Sequence, residues 1–492
     1  VEGALEKTKG IRDLPPELLE ELGIYNAQDV DEMWHIFKEM LPKFQQDELD
    51  LIDLTIKAYT QPKLLVDQKL VKDELKKERT RRTRLFKKVG KQLGVSEVDD
   101  VKKALRSREH FAEALRDAGA EPPTKKSDTA GFITYAFAKN DLDFQALETH
   151  PDARVRALVE AKLLASSTID ESRPARVLQH AEPAFPVYLN YYGAHTGRWS
   201  GGDKVNPQNL PRESKLRNAL VAPSGHKLIV VDSGQIEARV NAYLAGQQDL
   251  LDEFRALDSN PNAEEDVYTK FAAQHVFRRK VTKKDKKERF VGKVCILGLG
   301  YQMGLSKFQY TLEAGVMGPR IVLKEQQYKD AHSGYRRQYA NIVQQWWFLQ
   351  EMLERMTHAS FKGYRYGPVA LAYEAIRLPN GFDLRYPNLR GLNWNSDKES
   401  FSEYRYKENN KIYGGLMTEN IVQALARTVV ALQILELARR GWWPVLMVHD
   451  EGVFVVKNHF AKKAANDAEE VFRTPPSWAP DLPVVGEVAV SD

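Results

Sequence analysis

Cysteine is almost missing from this 492-residue chain, since Cys295 is the only one. One thiol excludes an internal disulfide framework and a cysteine-rich zinc site, and it points to a reducing, intracellular compartment. The sequence shows no uninterrupted run near the 18 or so apolar residues that a membrane span needs, so no membrane partner is expected. The start, Val1-Glu2-Gly3-Ala4-Leu5-Glu6-Lys7, has no basic region followed by an apolar one, so these residues are not expected to be a signal peptide. It also lacks an initiator Met, so a processed product or a piece of something longer is expected. There is no internal repeat, no low-complexity tract, and no Gly-rich loop of the type that cradles phosphates.

What is present is ordinary for a globular enzyme: 42% hydrophobic, 10% aromatic and 28% charged residues. That composition excludes a largely disordered chain, and the length predicts about three domains. Net charge is only +4, but it is uneven. Lys72 to Lys91 holds ten Lys/Arg against three acids, and Arg278 to Lys293 holds nine against two. Such runs are most often solvated helix faces. A polyanion would nevertheless feel both, with counterion release driving its binding.

Along the chain, Leu18 to Gly23 reads as a helix end and Tyr25-Asn26-Ala27-Gln28-Asp29 as the start of the next helix. The stretch to about residue 165 is helical and charged, with apolar residues three and four apart, as in Leu49, Leu51, Ile52, Leu54 and Ile56. A loop rich in Pro, Gly and Asn runs from Pro183 to Pro211. Lys227 to Val231 predicts a strand ending at Asp232, followed by a helix marked by Ile236, Val240 and Leu244 and closed by Gly246. Helices dominate 262–357. Pro379-Asn380-Gly381 marks a hairpin-like excursion within 376–413. A long helix, about Thr418 to Arg440, leads to a strand over Val445–Val448, a turn at His449–Gly452 and a partner strand over Val453–Val456.

Three groupings carry chemistry. Asp232 and Asp450 end apolar, hence buried, strands, so both carboxylates sit at the rim of a sheet. Such a pair can hold two hard cations about 3.5–4 Å apart for in-line phosphoryl transfer. Either acid alone is more often a turn-former or cap. Arg289, Lys293, Leu297 and Tyr301 are spaced by four and predict one helical stripe about 18 Å long. Two cations followed by apolar and aromatic groups suit a nucleoside triphosphate, although an amphipathic surface helix would look similar. Gly292, Gly298, Gly300 and Gly304 in or after that helix imply close backbone approach or a mobile helix end. The third grouping is the polar loop His195-Thr196-Gly197-Arg198-Trp199-Ser200 with Asn206-Pro207-Gln208-Asn209-Leu210-Pro211-Arg212. Its side chains can bond phosphates and base edges, or serve the loop itself.

Together and in this order, these blocks resemble the family A DNA polymerases. Asp232-Ser233-Gly234-Gln235-Ile236-Glu237-Ala238-Arg239 is similar to the first catalytic motif, and Arg289 to Tyr301 to the fingers helix. Val448-His449-Asp450-Glu451 is similar to the last motif, and Val294 to Tyr301 is worded most like phage members. The resemblance covers about 160–492 well and 30–160 loosely. It implies an α/β (α+β) right-hand fold, with an antiparallel palm sheet, helical fingers and a helical thumb. The expected division is an exonuclease remnant over 1–30, thumb 31–165, palm 166–250 and 412–492, and fingers 251–411.

The implied activity is template-directed DNA synthesis, adding dNMP to a primer 3′-hydroxyl with release of pyrophosphate, in phage DNA replication. Asp232, Asp450 and the Ser233 carbonyl would bind two Mg2+ ions, for which Mn2+ can substitute. Arg289 and Lys293 would hold the triphosphate, with Gln235, Glu237, Tyr268, Leu297 and Tyr301 completing the dNTP site. Tyr301 would stack near the nascent pair, and Glu237 would exclude a ribose 2′-hydroxyl. Thr196, Arg198, Gln208, Asn209, Glu419, Gln423 and His449 would face DNA. The expected partners are primer-template DNA and dNTPs, with a helicase, a single-strand-binding protein or a separate exonuclease chain as candidate accessories. A cytoplasmic monomer is expected, in the host cytoplasm for a phage-encoded chain.

Several positions depart from the family pattern. Ser233 stands where Tyr is common, Gly234 for Ser, Tyr268 for His, Leu297 for an aromatic residue, and Gln302 for Gly. Two other classes compete. A single-subunit RNA polymerase is disfavoured by Glu237, and an inert nucleic-acid-binding protein by the intact acids. Tyr25 and Asp29 resemble the last motif of a 3′–5′ exonuclease. No Asp-x-Glu strand precedes them, so no proofreading by this polypeptide alone is expected.

Overall fold

The computed structural model describes residues 6–8, 11, 13–127, 131–202, 205–211, 213–260, 262–396 and 400–491. Arg212 lies outside the described residues. The chain divides into two compact units, Val1–Asp53 and Leu54–Asp492. The smaller is dominated by one helix, Pro16–Met40, with proline in its first turn and Lys38 in its last. Proline suits a helix start because its missing N–H would be unbonded there anyway. The two helices expected around Gly23 are therefore one, and Tyr25 and Asp29 lie in its interior rather than at a start. Gly23 does not adopt the left-handed conformation that stops a helix, and its cost of about 1 kcal/mol is too small to break one.

The larger unit begins with a helical region. Helix Gln68–Gln92 is capped by the Asp67 carboxylate, which accepts from the Leu70 N–H. It packs with Val98–Arg106, Arg108–Asp117 and Ala153–Ser166 around Phe86, Val89, Phe111, Leu115, Phe144 and Leu158. Most of the cations between Lys72 and Lys91 face outward, as expected. Arg82 is the exception. It is 3% exposed, bonds Glu78, and donates to the carbonyls of Leu164 and Ser167.

The central sheet has four antiparallel strands: β1, His226–Ser233; β2, Pro444–Val448; β3, Glu451–Lys457; and β4, Gly486–Val490. Their order is β2-β3-β1-β4. β1 alternates, burying Ile229, Val231 and Ser233 on one face. Helix Ala461–Phe472 covers the sheet against β1 and β4. Chain segments on both sides of the expected fingers thus meet in one sheet.

Between them, helices run to Met356, followed by two sheets rather than a simple excursion. One is a four-stranded meander over 364–385, and the other is three-stranded over 390–412. Their buried Leu371, Ile376, Leu384 and Tyr404 pack on Leu349 and Leu353 and on Ile421, Leu425 and Val429 of the long helix Gly414–Arg439. By length and hydropathy this helix could cross a membrane, yet 78% of its most apolar window is buried in the core.

Candidate functional site

The β2–β3 hairpin turns on His449 and Asp450, with Val448 paired to Glu451. His449 takes φ 45°, the left-handed conformation. β3 then pairs with β1 so that Glu451 faces Asp232. The Ser233 N–H donates to the Asp450 carbonyl at 2.8 Å, which ties the two acid-bearing strand ends together. Both carboxylates therefore stand at one rim, as their strand-end positions imply. Glu451 pairs with Arg217 at 3.4 Å.

Asp450 carries the strongest signature. Its Oδ1 is buried and accepts no hydrogen bond from the described residues, although Arg198 Nη2 lies 3.6 Å away. Burial pushes its carboxyl up to about 7, with Glu237 and Asp232 adding repulsion and Arg198 and Lys293 opposing it. A buried carboxylate oxygen lacking a hydrogen-bond donor, beside a second carboxylate, suits a divalent cation. The described residues hold no cluster of three or more His, Cys, Asp or Glu. Two acids leave most of a magnesium ion's coordination to water and substrate phosphates, which is how that ion is commonly held.

Around this rim the loop and helix residues converge. Arg198 pairs with Glu237, whose other oxygen accepts from the Tyr301 hydroxyl at 3.2 Å. Burial raises the Tyr301 phenol well above its usual value, so it remains a donor. Thr196 bonds Gln423 at 3.4 Å, and Gln423 in turn donates to Glu419 at 3.1 Å. Burial, then Glu237, pushes the Glu419 carboxyl up. Gln208 is buried and donates to the Met447 carbonyl at 2.9 Å, bracing β2. Asn209 is exposed, and its carbonyl accepts from Arg173 at 3.5 Å. Gln235 takes φ 57° at the start of helix Ile236–Ala245.

The stripe over 289–301 is not one regular helix. The α-helix Lys286–Val294 gives way to a π-helical turn, Cys295–Leu299, and Tyr301 lies beyond it. Bonding from i to i+5 adds a residue to the turn, so spacing by four no longer marks one face. Lys293 is exposed and Leu297 half-buried. Gly292 shows the close approach expected of these glycines, because a Cβ there would lie 2.0 Å from the Tyr268 carbonyl oxygen. Nothing lies within 4 Å of the same position on Gly304.

Two features escaped the sequence reading. Asp266, 1% exposed at its side chain, binds Arg289 at 2.6 Å and caps the Thr269 N–H, while Arg289 lies over the Tyr268 ring. Tyr268 is 4% exposed, beneath that guanidinium. The Asp-x-x-Thr spacing of a helix cap was the available signal. Gln302 adopts φ 64°, a conformation glycine takes freely, and its Oε1 accepts from the Gly415 N–H at 3.0 Å.

Comparison with known proteins agrees with this geometry. The family model for DNA polymerase family A matches residues 72–492. The DNA polymerase of Bacillus phage SP02 is 26% identical over 453 residues, covering 80% of this chain and 67% of the relative. DNA polymerase I of Pseudomonas aeruginosa is 37% identical over 136 residues, covering 26% of this chain and 14% of that protein. Among solved structures, the POL domain of Pol1 from M. smegmatis, in complex with DNA primer-template and dNTP, superposes with a TM-score of 0.67. It is 17% identical, and the match covers 92% of this chain and 72% of that one.

Proposed function

The chain belongs to DNA polymerase family A, and we propose that it extends a primer on a DNA template by two-metal nucleotidyl transfer. The observation that carries this reading is the pair of rim carboxylates, Asp232 and Asp450, with the buried Asp450 Oδ1 unbonded among the described residues. Asp232, Asp450 and the Ser233 carbonyl are the groups that would hold magnesium. When bound, the metal supplies Lewis-acid stabilisation of phosphate charge and lowers the pKa of an attacking hydroxyl.

The remaining steps fall to the chain's own side chains. Lys293, near enough to Asp450 to bias its titration, takes the triphosphate together with Arg289. Asp266 and the Tyr268 ring hold that guanidinium in place before the nucleotide arrives. Fixed cations of this kind stabilise charge as the pyrophosphate leaves, without reorganising at the moment of reaction. Glu237, gripped by Arg198 and Tyr301, is held rigidly enough to exclude a 2′-hydroxyl. Thr196, Arg198, Gln208, Asn209, Glu419, Gln423 and His449 form the DNA side, and Gln235, Leu297 and Tyr301 the nucleotide side. The exposed cations of helix Gln68–Gln92 meet duplex phosphates. Phage DNA replication in a host cytoplasm is the setting favoured by the phage relative.

Primer extension by the pure protein tests the reading. Incorporation of dNTPs that needs magnesium, with NTPs used poorly, is the expected result. Equal use of NTPs would favour an RNA polymerase, and no incorporation an inert binding protein.

A further inference from the structure

Arg427 lies midway along helix Gly414–Arg439 and is 1% exposed. Burying a guanidinium is expensive unless its surroundings compensate. Here three aromatic faces surround it, with ring centroids 5.4 Å (Tyr191), 4.8 Å (Tyr192) and 4.8 Å (Trp199) from the guanidinium carbon. Removal from water strengthens contacts between a cation and an aromatic face. The rings come from the two ends of one loop, and that loop carries Thr196 and Arg198.

The loop is also held elsewhere: Asn190 pairs with Ser200 at its base, the Asn380 amide donates to the Tyr192 hydroxyl at 3.1 Å, Phe382 meets the Tyr192 ring, and His195 packs on Tyr386 and Tyr406. Inside it, the Gly197 N–H donates to the Ala194 carbonyl at 2.9 Å, and the Ala194 N–H to the Arg198 carbonyl at 3.1 Å. Gly197, at φ 79°, lies flat on the Tyr192 ring, where a Cβ would be 2.6 Å from Cζ. Trp199 is fixed from behind by its indole N–H, which donates to Thr55 at 2.9 Å. Gln423, one turn earlier on the helix that bears Arg427, takes Thr196. Arg198 directly precedes Trp199, so the placement of that indole decides where the Arg198 guanidinium stands relative to Glu237 and Asp450.

We propose that Arg427 is a positioning residue. Its guanidinium clamps both ends of the Tyr191–Ser200 loop and thereby sets Arg198 against Glu237 and Asp450. The role rests on the polymerase reading of the site above, whereas the clamp itself does not.

Single-nucleotide extension is compared in wild type, Arg427→Met, Arg198→Ala and the double variant. Arg427→Met slows incorporation by about 10- to 100-fold, the scale of a misplacement near 1 Å. Because it acts through Arg198, the double variant stays within about two-fold of Arg198→Ala. Arg427→Lys, which keeps the cation but loses the stacking plane, falls between wild type and Arg427→Met. Multiplied effects, or a wild-type rate in Arg427→Met, overturn the proposal. Hydrogen exchange without DNA is the second readout. Residues 191–200 exchange faster in Arg427→Met while β1 and β3 keep wild-type protection, and an unchanged loop overturns the clamp. Absence of extension by the wild type refutes the polymerase reading alone, since exchange still decides the clamp. If Arg427→Met does not fold, Tyr191→Leu removes the half-buried wall of the cage and is read by the same two measurements.

Discussion

Gly292→Ala places one methyl group where helix Lys286–Val294 touches helix Val267–Ala272. The new Cβ would lie 2.0 Å from the Tyr268 carbonyl oxygen, 2.7 Å from its carbon and 3.2 Å from the Ala272 Cβ. The first two obstacles are backbone, so no side chain can swing aside. The helix must retreat by more than about 1 Å to reach ordinary van der Waals separation. Overpacking of this kind costs about 1–3 kcal/mol, and the upper end applies where backbone meets backbone. The retreat also displaces Arg289 and Lys293, which flank Gly292 and are the cations proposed above to take the triphosphate. A shift near 1 Å is expected to lower kcat/KM for dNTP by about 100-fold. Gly304→Ala is the control, since its added Cβ meets nothing within 4 Å, and its stability should stay within about 0.5 kcal/mol of wild type. Thermal unfolding and single-nucleotide incorporation are measured on both variants. If Gly292→Ala behaves like Gly304→Ala in both assays, the close helix contact is not what sets the nucleotide site.

Other outcomes follow from the same geometry. Glu237→Ala removes the carboxylate gripped by Arg198 and Tyr301, and the ratio of NTP to dNTP incorporation should rise by about 10-fold or more. An unchanged ratio places sugar discrimination elsewhere. Leu297→Tyr adds a ring and a hydroxyl and should increase dideoxynucleotide use, whereas equal chain termination in both proteins would count against Leu297 facing the sugar. Lys162 is 5% exposed, and its amino group donates to the carbonyls of Leu105 and Arg106. Burial brings that amino group down to about 8 from 10.5. Between those values the unfolded chain binds a proton that the folded chain does not, so stability should rise with pH across that window. Urea unfolding midpoints should show this rise in wild type but not in Lys162→Met.

The rim acids were legible because each ends an apolar run, and strands that apolar end at the edge of a buried sheet. The Asp232–Glu451 register follows from the tight hairpin at His449 and Asp450. The Arg289–Tyr301 stripe was legible only in part. Periodicity assumes 3.6 residues per turn, and the π-helical turn at Cys295–Leu299 leaves no mark on spacing. Gly23 misled for a related reason, because one glycine resembles a stop signal until its backbone conformation is known. The basic run over Lys72–Lys91 concealed Arg82, whose burial depends on carbonyls more than 80 positions away in sequence. The Asp-x-x-Thr cap marks Asp266 itself, but its pairing with Arg289 was hidden similarly, for the two are 23 residues apart. Long-range partners of this kind leave no local pattern.

The central claim is that Asp232 and Asp450 perform the chemistry while other surfaces supply affinity for DNA. The most direct measurement sets primer extension beside primer-template binding for Asp232→Asn and Asp450→Asn. Each variant is expected to lose nearly all magnesium-dependent nucleotide addition and to bind DNA with close to wild-type affinity, because the basic stretches supply that affinity. Primer extension near the wild-type rate by either variant would contradict that claim.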